Sequence, residues 1–560
     1  MYIYNLIPIL AFVGKVKLFS EKTTLVTQVA APIILSIIIL VLYISAYLGI
    51  SFYITLVLYG IGFWGIYNSY KKKESLNILS QDYILSIVSI GFIVVIGLYY
   101  RECHLVSRED IRYWGLFSKE LLARGYLEYL SSNTSILSEY AFFPRASSMF
   151  HYYYLLPTGY NEGGALCAHF LIAICFLMPF FASNSSENVF NSAIFTLIGL
   201  SVCALSTNFL RSLHNEAITG LAGVSIILIY FHVSKNKNFI LQLAPLIVVT
   251  PLFAGNIFFS FFCVLCVFVM HHKATGLDIF KFKPKNARFY LGLAAPFASY
   301  YLFLLPYYLV NLEGSGGNSK LSAFSLYSLF DIIIFIKTLV LVLFKEAVLI
   351  SILLIYLAYK CTKKQDDKSY ELFNHLVIAT IIAYILLALT LLISYFGNYQ
   401  TIGVGIVLKY FAPYIILSVV LSLYFMGIAP LEKKDQLIIY FLMVFSAGAF
   451  LNNLDLVASF VSLEEENSKK QIKAISNLLI SNKDQVSFSY ENKANNEECY
   501  DFAYKISPMI NNSEVRKCLA ENIDFHNLYI GRYDSIPSKL NTNCKIIYKP
   551  FSLKYVLVCE

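Results

Sequence analysis

Acidic side chains at the predicted ends of apolar segments are the residues of this chain best suited to chemistry. Glu109 and Asp110 stand side by side in a polar stretch, and Glu216 opens an apolar segment. A carboxylate at a membrane boundary can act as general base toward a hydroxyl or hold a divalent cation against a phosphate. The alternative is structural: Glu109 and Asp110 could cap a helix, and Glu216 could simply be solvated.

Basic side chains occupy comparable positions near the ends of apolar segments. They are Arg145, Arg211, Lys337 and Lys409. Arg and Lys are the natural partners of a lipid phosphate or pyrophosphate, although each could equally extend its charge into water beside the membrane. The histidines show no metal-ligand spacing, so a zinc site is not expected.

The composition identifies the solvent of the fold. Of the 560 residues, 58% are hydrophobic and 14% are charged, and the mean hydropathy is +0.64. A soluble domain has roughly 25% charged residues. The net charge of +8 lies in short basic clusters between apolar runs, where it determines membrane topology, so nucleic-acid binding is excluded. The chain has no P-loop, dinucleotide-binding fingerprint or nucleophile elbow.

Apolar segments of about 20 residues predict an all-α polytopic membrane protein with about thirteen transmembrane helices. The predicted spans are 27–48, 52–69, 83–99, 163–183, 190–208, 216–232, 239–253, 255–271, 289–310, 344–360, 373–395, 411–428 and 436–457. The Lys and Arg clusters then fall on one side, which the positive-inside rule makes cytoplasmic, together with the N-terminus. The loops 100–162, 311–343 and 396–410 are expected outside.

Two further apolar segments are predicted to lie in the membrane surface. Tyr2–Val13 is short and is followed by lysines, without a small-residue cleavage site. Leu326–Phe344 contains Asp331 and Lys337, and counting it as a span would place the next basic cluster outside. The alternative for this second segment is a true span that ends in a tight turn.

The first outer loop, 100–162, is predicted to carry amphipathic juxtamembrane helices. Trp114, Phe117 and Leu121 recur at helical spacing beside charged residues, which suits a helix lying in the membrane surface. The later aromatic run, 142–154, has the composition of the aromatic belt at a membrane interface.

The chain is predicted to consist of two domains, 1–459 in the membrane and 460–560 outside it. The polar tail holds short strand-like stretches, which predict a small α+β domain. Four of its residues are disulfide candidates: Cys499, Cys518, Cys544 and Cys559. Two disulfides with three alternative pairings are expected, which implies an oxidising compartment. Cys263 and Cys266 lie in an apolar run and are expected to be packing residues.

Three groups of residues resemble motifs of bacterial glycosyltransferases of the C-type superfamily, to which the dolichyl-phosphate-mannose–protein mannosyltransferases belong. The resemblance covers about residues 80 to 430. The first outer loop matches through 109–120 and 143–152, a second acidic position matches through 213–217, and the start of a late span matches through 409–414. Tyr113 stands where the family commonly has His, Arg145 where it has a second Pro, and Lys409 where it has Arg.

The resemblance implies transfer of a sugar from a polyprenyl phosphate or pyrophosphate donor to a glycan, lipid or protein acceptor of the cell envelope. It places the protein in a bacterial inner membrane, with the C-terminal domain periplasmic. The implied roles are catalytic for Glu109 or Asp110 and for Glu216, donor phosphate binding for Lys409, Arg211 and Arg145, and acceptor contact for Trp114, Tyr113 and His151. A divalent cation, Mg²⁺ or Mn²⁺, would sit at Glu109 and Asp110.

Two other functions stay open at the level of the sequence. An O-antigen-type polymerase or ligase also acts on polyprenyl-linked glycans, but such proteins carry a large Arg-rich late loop, whereas the loop 396–410 is short and has Lys409 as its cation. A transporter or flippase for lipid-linked glycans would have charged or Gly/Pro-broken spans near the midplane. Prolines such as Pro245 and Pro296 supply breaks, while charge within the spans is nearly absent.

Overall fold

A computed structural model describes most of the predicted membrane part and four strands of the tail. The described residues are 2–23, 25–71, 114–124, 145–181, 213–234, 239–254, 256–275, 287–314, 329–363, 367–394, 404–428, 448, 488–489, 528–532, 544–548 and 554–559. Outside the four strands, almost every one of these residues is helical, which confirms the all-α prediction for the membrane part.

Fifteen helices are present within the described ranges. The first eight are α1 (Tyr2–Thr23), α2 (Thr27–Tyr47), α3 (Ser51–Lys71), α4 (Leu116–Arg124), α5 (Ala146–Leu155), α6 (Glu162–Leu177), α7 (Glu216–Val233) and α8 (Phe239–Val249). The others are α9 (Pro251–Ala254), α10 (Ile257–Thr275), α11 (Ala287–Gly314), α12 (Leu329–Leu343), α13 (Glu346–Lys363), α14 (Asp367–Ser394) and α15 (Val404–Ile428). A short 3₁₀ turn, Met178–Phe181, extends α6.

Six described helices are long and apolar enough to cross a membrane, and a bent pair would make a seventh. The six are Thr27–Tyr47, Glu162–Phe180, Glu216–Val233, Ile257–Thr275, Tyr370–Leu389 and Val407–Met426. This confirms a multi-pass membrane protein. The predicted spans 83–99, 190–208 and 436–457 lie outside the described residues, and the count of thirteen stays a prediction.

The N-terminal helix is longer than the predicted segment Tyr2–Val13, and its depth in the membrane stays a prediction. α1 continues to Thr23 and packs alongside α3 in the same direction, with Ala11 against Gly62 and Gly14 against Gly65. The reason is close backbone contact between small residues, which favours lengthwise helix packing. The start of α1 therefore lies at the end of α3 opposite Lys71. The side of the membrane on which the N-terminus lies stays a prediction.

The helices of the first outer loop are buried. α4 confirms the predicted helix after Trp114, but Trp114, Phe117 and Leu121 are each at most 6% exposed, because they pack against α5. Every residue of α5 is buried as well. The prediction of an aromatic belt at the membrane interface is therefore wrong for 146–154. These aromatic side chains belong to the hydrophobic core, between α2, α4 and α6.

The segment predicted to lie on the outer surface is α12. It joins α13 through a tight turn at Lys345, and the two helices are bent by 59° at this point. Lys337 lies on the exposed side of α12. The helix is thus confirmed, while its depth in the membrane stays a prediction.

Four strands of the tail form one mixed sheet. They are β1 (Phe488–Ser489), β2 (Leu528–Arg532), β3 (Cys544–Tyr548) and β4 (Lys554–Cys559), in the spatial order β1-β2-β4-β3. β1 and β2 are parallel, whereas β4 is antiparallel to both β2 and β3, with an irregularity between Ile546 and Tyr548. Strands are present in the tail as predicted, and the domain boundary at 459/460 stays a prediction.

Candidate functional site

The candidate site lies where two spanning helices begin side by side. α7 and α15 cross closely at Gly220, where an added Cβ would lie 3.0 Å from the Cα of Pro413 and 3.1 Å from the Cβ of Ile416. Glu216 precedes Gly220 by one helical turn, and Lys409 precedes Pro413 by one turn. Because residues four apart share a helix face, the crossing brings the two charged side chains together.

Glu216 and Lys409 form an ion pair. The Lys409 Nζ lies 3.4 Å from Glu216 Oε1, and the side chains are 30% and 17% exposed, respectively. The second carboxylate oxygen, Oε2, lies 3.7 Å from Nδ1 of His214. The pair stands at the helix starts, where water is partly excluded and its charges interact more strongly than in bulk water.

Asn215 directly precedes Glu216 in the chain and is fully buried. It occupies the cap position of α7, but its side chain makes no capping hydrogen bond. Neither its amide nitrogen nor its amide oxygen has a hydrogen-bond partner among the described residues. A buried amide without partners is costly, and a polar group that both donates and accepts would offset this cost.

A line of buried polar side chains connects the site to the first outer loop. Nε2 of His169, on α6, donates to the carbonyl oxygen of His214, 3.1 Å away. The ring of His151, on α5, lies 5.7 Å from that of His169 between centroids. Nδ1 of His151 is 3.1 Å from Oγ of Ser118, which donates its hydrogen to the carbonyl oxygen of Trp114. His151 must therefore donate from Nδ1.

The neutral state of His151 gives the protein a pH-dependent stability. Burial, reinforced by nearby His169, holds the pKa of His151 well below its usual value of about 6.5. Below pH 6.5 the unfolded chain binds a proton that the native state does not, so stability falls as the pH falls. His151→Gln is expected to reduce this fall by up to about 1.4 kcal/mol per pH unit. Unfolding transitions of both proteins between pH 5 and 7 measure it, and equal slopes would contradict it.

The other predicted site residues divide between buried and undescribed positions. Arg145 is 3% exposed, and its guanidinium carbon lies 4.1 Å from the ring centroid of Phe117. This cation therefore packs against a side chain of α4. Trp114 and His151 are buried too. Glu109, Asp110, Tyr113 and Arg211 lie outside the described residues. Their roles, and those of Arg145, Trp114 and His151, stay predictions.

Sequence reasoning did not single out Asn215, His169 and Ser118 as site residues. Asn215 carried a usable signal, because asparagine is a preferred residue directly before the first residue of a helix. His169 and Ser118 carried none, since they are brought to the site by the packing of α4, α5 and α6.

Metal binding is not located within the described part of the chain. There, no group of three or more His, Cys, Asp or Glu side chains could hold a metal ion. The cation predicted at Glu109 and Asp110 involves residues outside that part and stays a prediction. Cys263 and Cys266 are buried free thiols of α10, as expected of packing residues.

One solved structure is similar to this chain. It is the crystal structure of ArnT from Cupriavidus metallidurans bound to undecaprenyl phosphate, with 11% sequence identity over 85% of this chain and 98% of ArnT and a TM-score of 0.48. No family model and no curated protein match the chain.

Proposed function

We propose that this protein is a membrane glycosyltransferase that transfers a sugar from a polyprenyl phosphate or pyrophosphate donor to an envelope glycan, lipid or protein at the outer face of the inner membrane. The observation that carries the proposal is the Glu216–Lys409 ion pair at adjacent helix starts. It combines a carboxylate suited to general base catalysis with a cation suited to a phosphate, within one site.

The ion pair gives the site an ordered mechanism. Lys409 is neutralised by Glu216 in the absence of donor. The donor phosphate brings a stronger negative charge and takes over Lys409, which releases the carboxylate of Glu216. The oxygen of the acceptor hydroxyl then attacks the anomeric carbon of the sugar, and the carboxylate of Glu216 accepts the proton of that hydroxyl. The bond to the lipid phosphate breaks, and Lys409 stabilises the charge that develops on the leaving phosphate.

Asn215 supplies the neutral contact that such a donor needs. A sugar hydroxyl donates one hydrogen bond and accepts others, which matches the amide nitrogen and oxygen of this buried side chain. Asn215 directly precedes Glu216, at the start of α7. The positive end of the α7 dipole favours a phosphate at the same place.

Donor binding tests the role of Lys409 directly. The purified protein in lipid nanodiscs is titrated with undecaprenyl phosphate, and Lys409→Gln is expected to weaken binding by about tenfold to a hundredfold, since a hydrogen bond to a charged group contributes about 1.5–3 kcal/mol. The matched control is Lys273→Gln. Lys273 also pairs with a glutamate, Glu371 at 3.0 Å, but it does so at the opposite end of the bundle.

Two results would contradict the proposal. One is equal affinity of the Lys409→Gln and Lys273→Gln proteins for undecaprenyl phosphate. The other comes from mass spectrometry of the surface glycans of cells with and without the gene. If the protein is a glycosyltransferase, one glycan of the deletion strain should lack a sugar residue. Loss or shortening of the whole glycan would instead indicate a flippase or a polymerase and would contradict the proposal.

A further inference from the structure

Two cysteines of the C-terminal sheet face each other across adjacent strands. Cys544 is the first residue of β3, Cys559 is the last residue of β4, and the two are Cα partners in the antiparallel register. Directly opposed residues of antiparallel strands have Cα atoms about 4.5–5.5 Å apart. Disulfides span Cα separations of about 4.4–6.8 Å, so this backbone spacing fits a disulfide without rearrangement.

The register also places the two cysteines on the same face of the sheet. Side chains alternate between faces along a strand, and opposed residues of an antiparallel pair share a face. The next two pairs, Lys545↔Val558 and Ile546↔Leu557, continue the same register, and the ladder becomes irregular only after Ile546. The opposition of Cys544 and Cys559 therefore belongs to the regular part of the pairing.

We propose that Cys544 and Cys559 form a disulfide bond. One S–S bond forms and two S–H bonds break. The two thiols give up two protons and two electrons to the disulfide of a thiol oxidase, which is reduced to two thiols through a mixed disulfide. Of the three pairings that four tail cysteines allow, one contains this bond, so Cys499 pairs with Cys518.

The bond has a structural purpose that follows from the strand order. Among the four described strands, β4 is an inner strand, flanked by β2 and β3, whereas β3 lies at an edge. An edge strand with free backbone groups can slip in register or pair with another chain. A covalent link at the end of the β3–β4 ladder fixes the register of the edge strand. It also requires an oxidising compartment, as the predicted outer location of the tail provides.

Peptide mapping of the full-length protein tests the pairing. Membranes are isolated without reductant, free thiols are blocked with N-ethylmaleimide, and the digest is analysed under non-reducing conditions. We expect a cross-linked peptide that joins Cys544 to Cys559. In separate samples, Cys544→Ser is expected to make Cys559 reactive to maleimide, while Cys518→Ser, the matched control, leaves Cys559 unreactive and exposes Cys499.

Three outcomes would overturn the pairing. They are a cross-link from Cys544 or Cys559 to Cys499 or Cys518, a cross-link from either to Cys103 of the first outer loop, and full alkylation of Cys544 and Cys559 in the native sample. None of these outcomes depends on glycosyl transfer. The disulfide can therefore fail while the proposed function stands, and the reverse also holds.

Discussion

Glu216→Gln is expected to lower sugar transfer by about a hundredfold to ten-thousandfold, the range in which general base catalysis contributes. Glutamine keeps the size and polarity of the side chain but cannot accept the proton of the acceptor hydroxyl. The measurement is transfer in membranes from a strain that lacks the chromosomal copy, followed by mass spectrometry of the acceptor glycan. Protein level and the unfolding transition are expected to stay close to those of the wild type.

The effect of Glu216→Gln on donor binding has the opposite sign to its effect on transfer. The ion pair at 3.4 Å competes with the donor for Lys409, and glutamine removes the competing charge. Affinity for undecaprenyl phosphate is therefore expected to equal or exceed that of the wild type. If the salt bridge were purely structural, Glu216→Gln and Lys409→Gln would each lower both the affinity for undecaprenyl phosphate and the rate of sugar transfer.

The matched control for this prediction is Glu371→Gln. It breaks another Glu–Lys ion pair, 3.0 Å between Lys273 Nζ and Glu371 Oε1, in which both side chains are more exposed. Exposed pairs contribute little to stability, so this variant is expected to transfer sugar normally. Full activity of Glu216→Gln, or an equal loss in Glu371→Gln, would remove Glu216 from the mechanism.

The sequence could predict the two members of the site but not their contact. Glu216 and Lys409 were both identifiable as charged residues at the start of apolar segments. Nothing in that pattern distinguishes Lys409 from Lys337, another cation predicted to lie near a membrane boundary, on α12. The contact depends on the close crossing of α7 and α15 at Gly220 and Pro413. Such a crossing is a long-range packing feature, and local periodicity does not contain it.

Two errors in the predicted fold have physical causes. The aromatic run of α5 was assigned to the membrane interface because Tyr and Trp are enriched there. The composition of a segment does not determine whether its side chains are buried, and every residue of α5 is buried. The lysines after Val13 predict that the first apolar segment ends there, whereas α1 continues to Thr23. Lys15, however, is 5% exposed and donates to Tyr153 Oη at 2.7 Å and to the carbonyl oxygen of Leu58 at 3.1 Å.

The close packing of α1 on α3 makes Gly62 a position of low tolerance. A Cβ at Gly62 would lie 2.0 Å from the carbonyl oxygen and 2.5 Å from the Cα of Ala11. Backbone atoms cannot move aside as a flexible side chain can, so Gly62→Ala forces α1 away from α3. The expected cost is at least about 1–3 kcal/mol. It is measured as a lower unfolding temperature in detergent and a lower yield of folded protein.

Gly60→Ala is the control for this prediction. Gly60 is on the same helix, two residues away, and a Cβ there meets nothing within 4 Å. Alanine is a better helix former than glycine by up to about 1 kcal/mol, so this variant is expected to be neutral or slightly stabilised. Because Lys15 is bonded to both α3 and α5, separation of α1 should also disturb the first outer loop and reduce transfer. Equal unfolding temperatures for the two variants would show that α1 does not pack on α3 at Gly62.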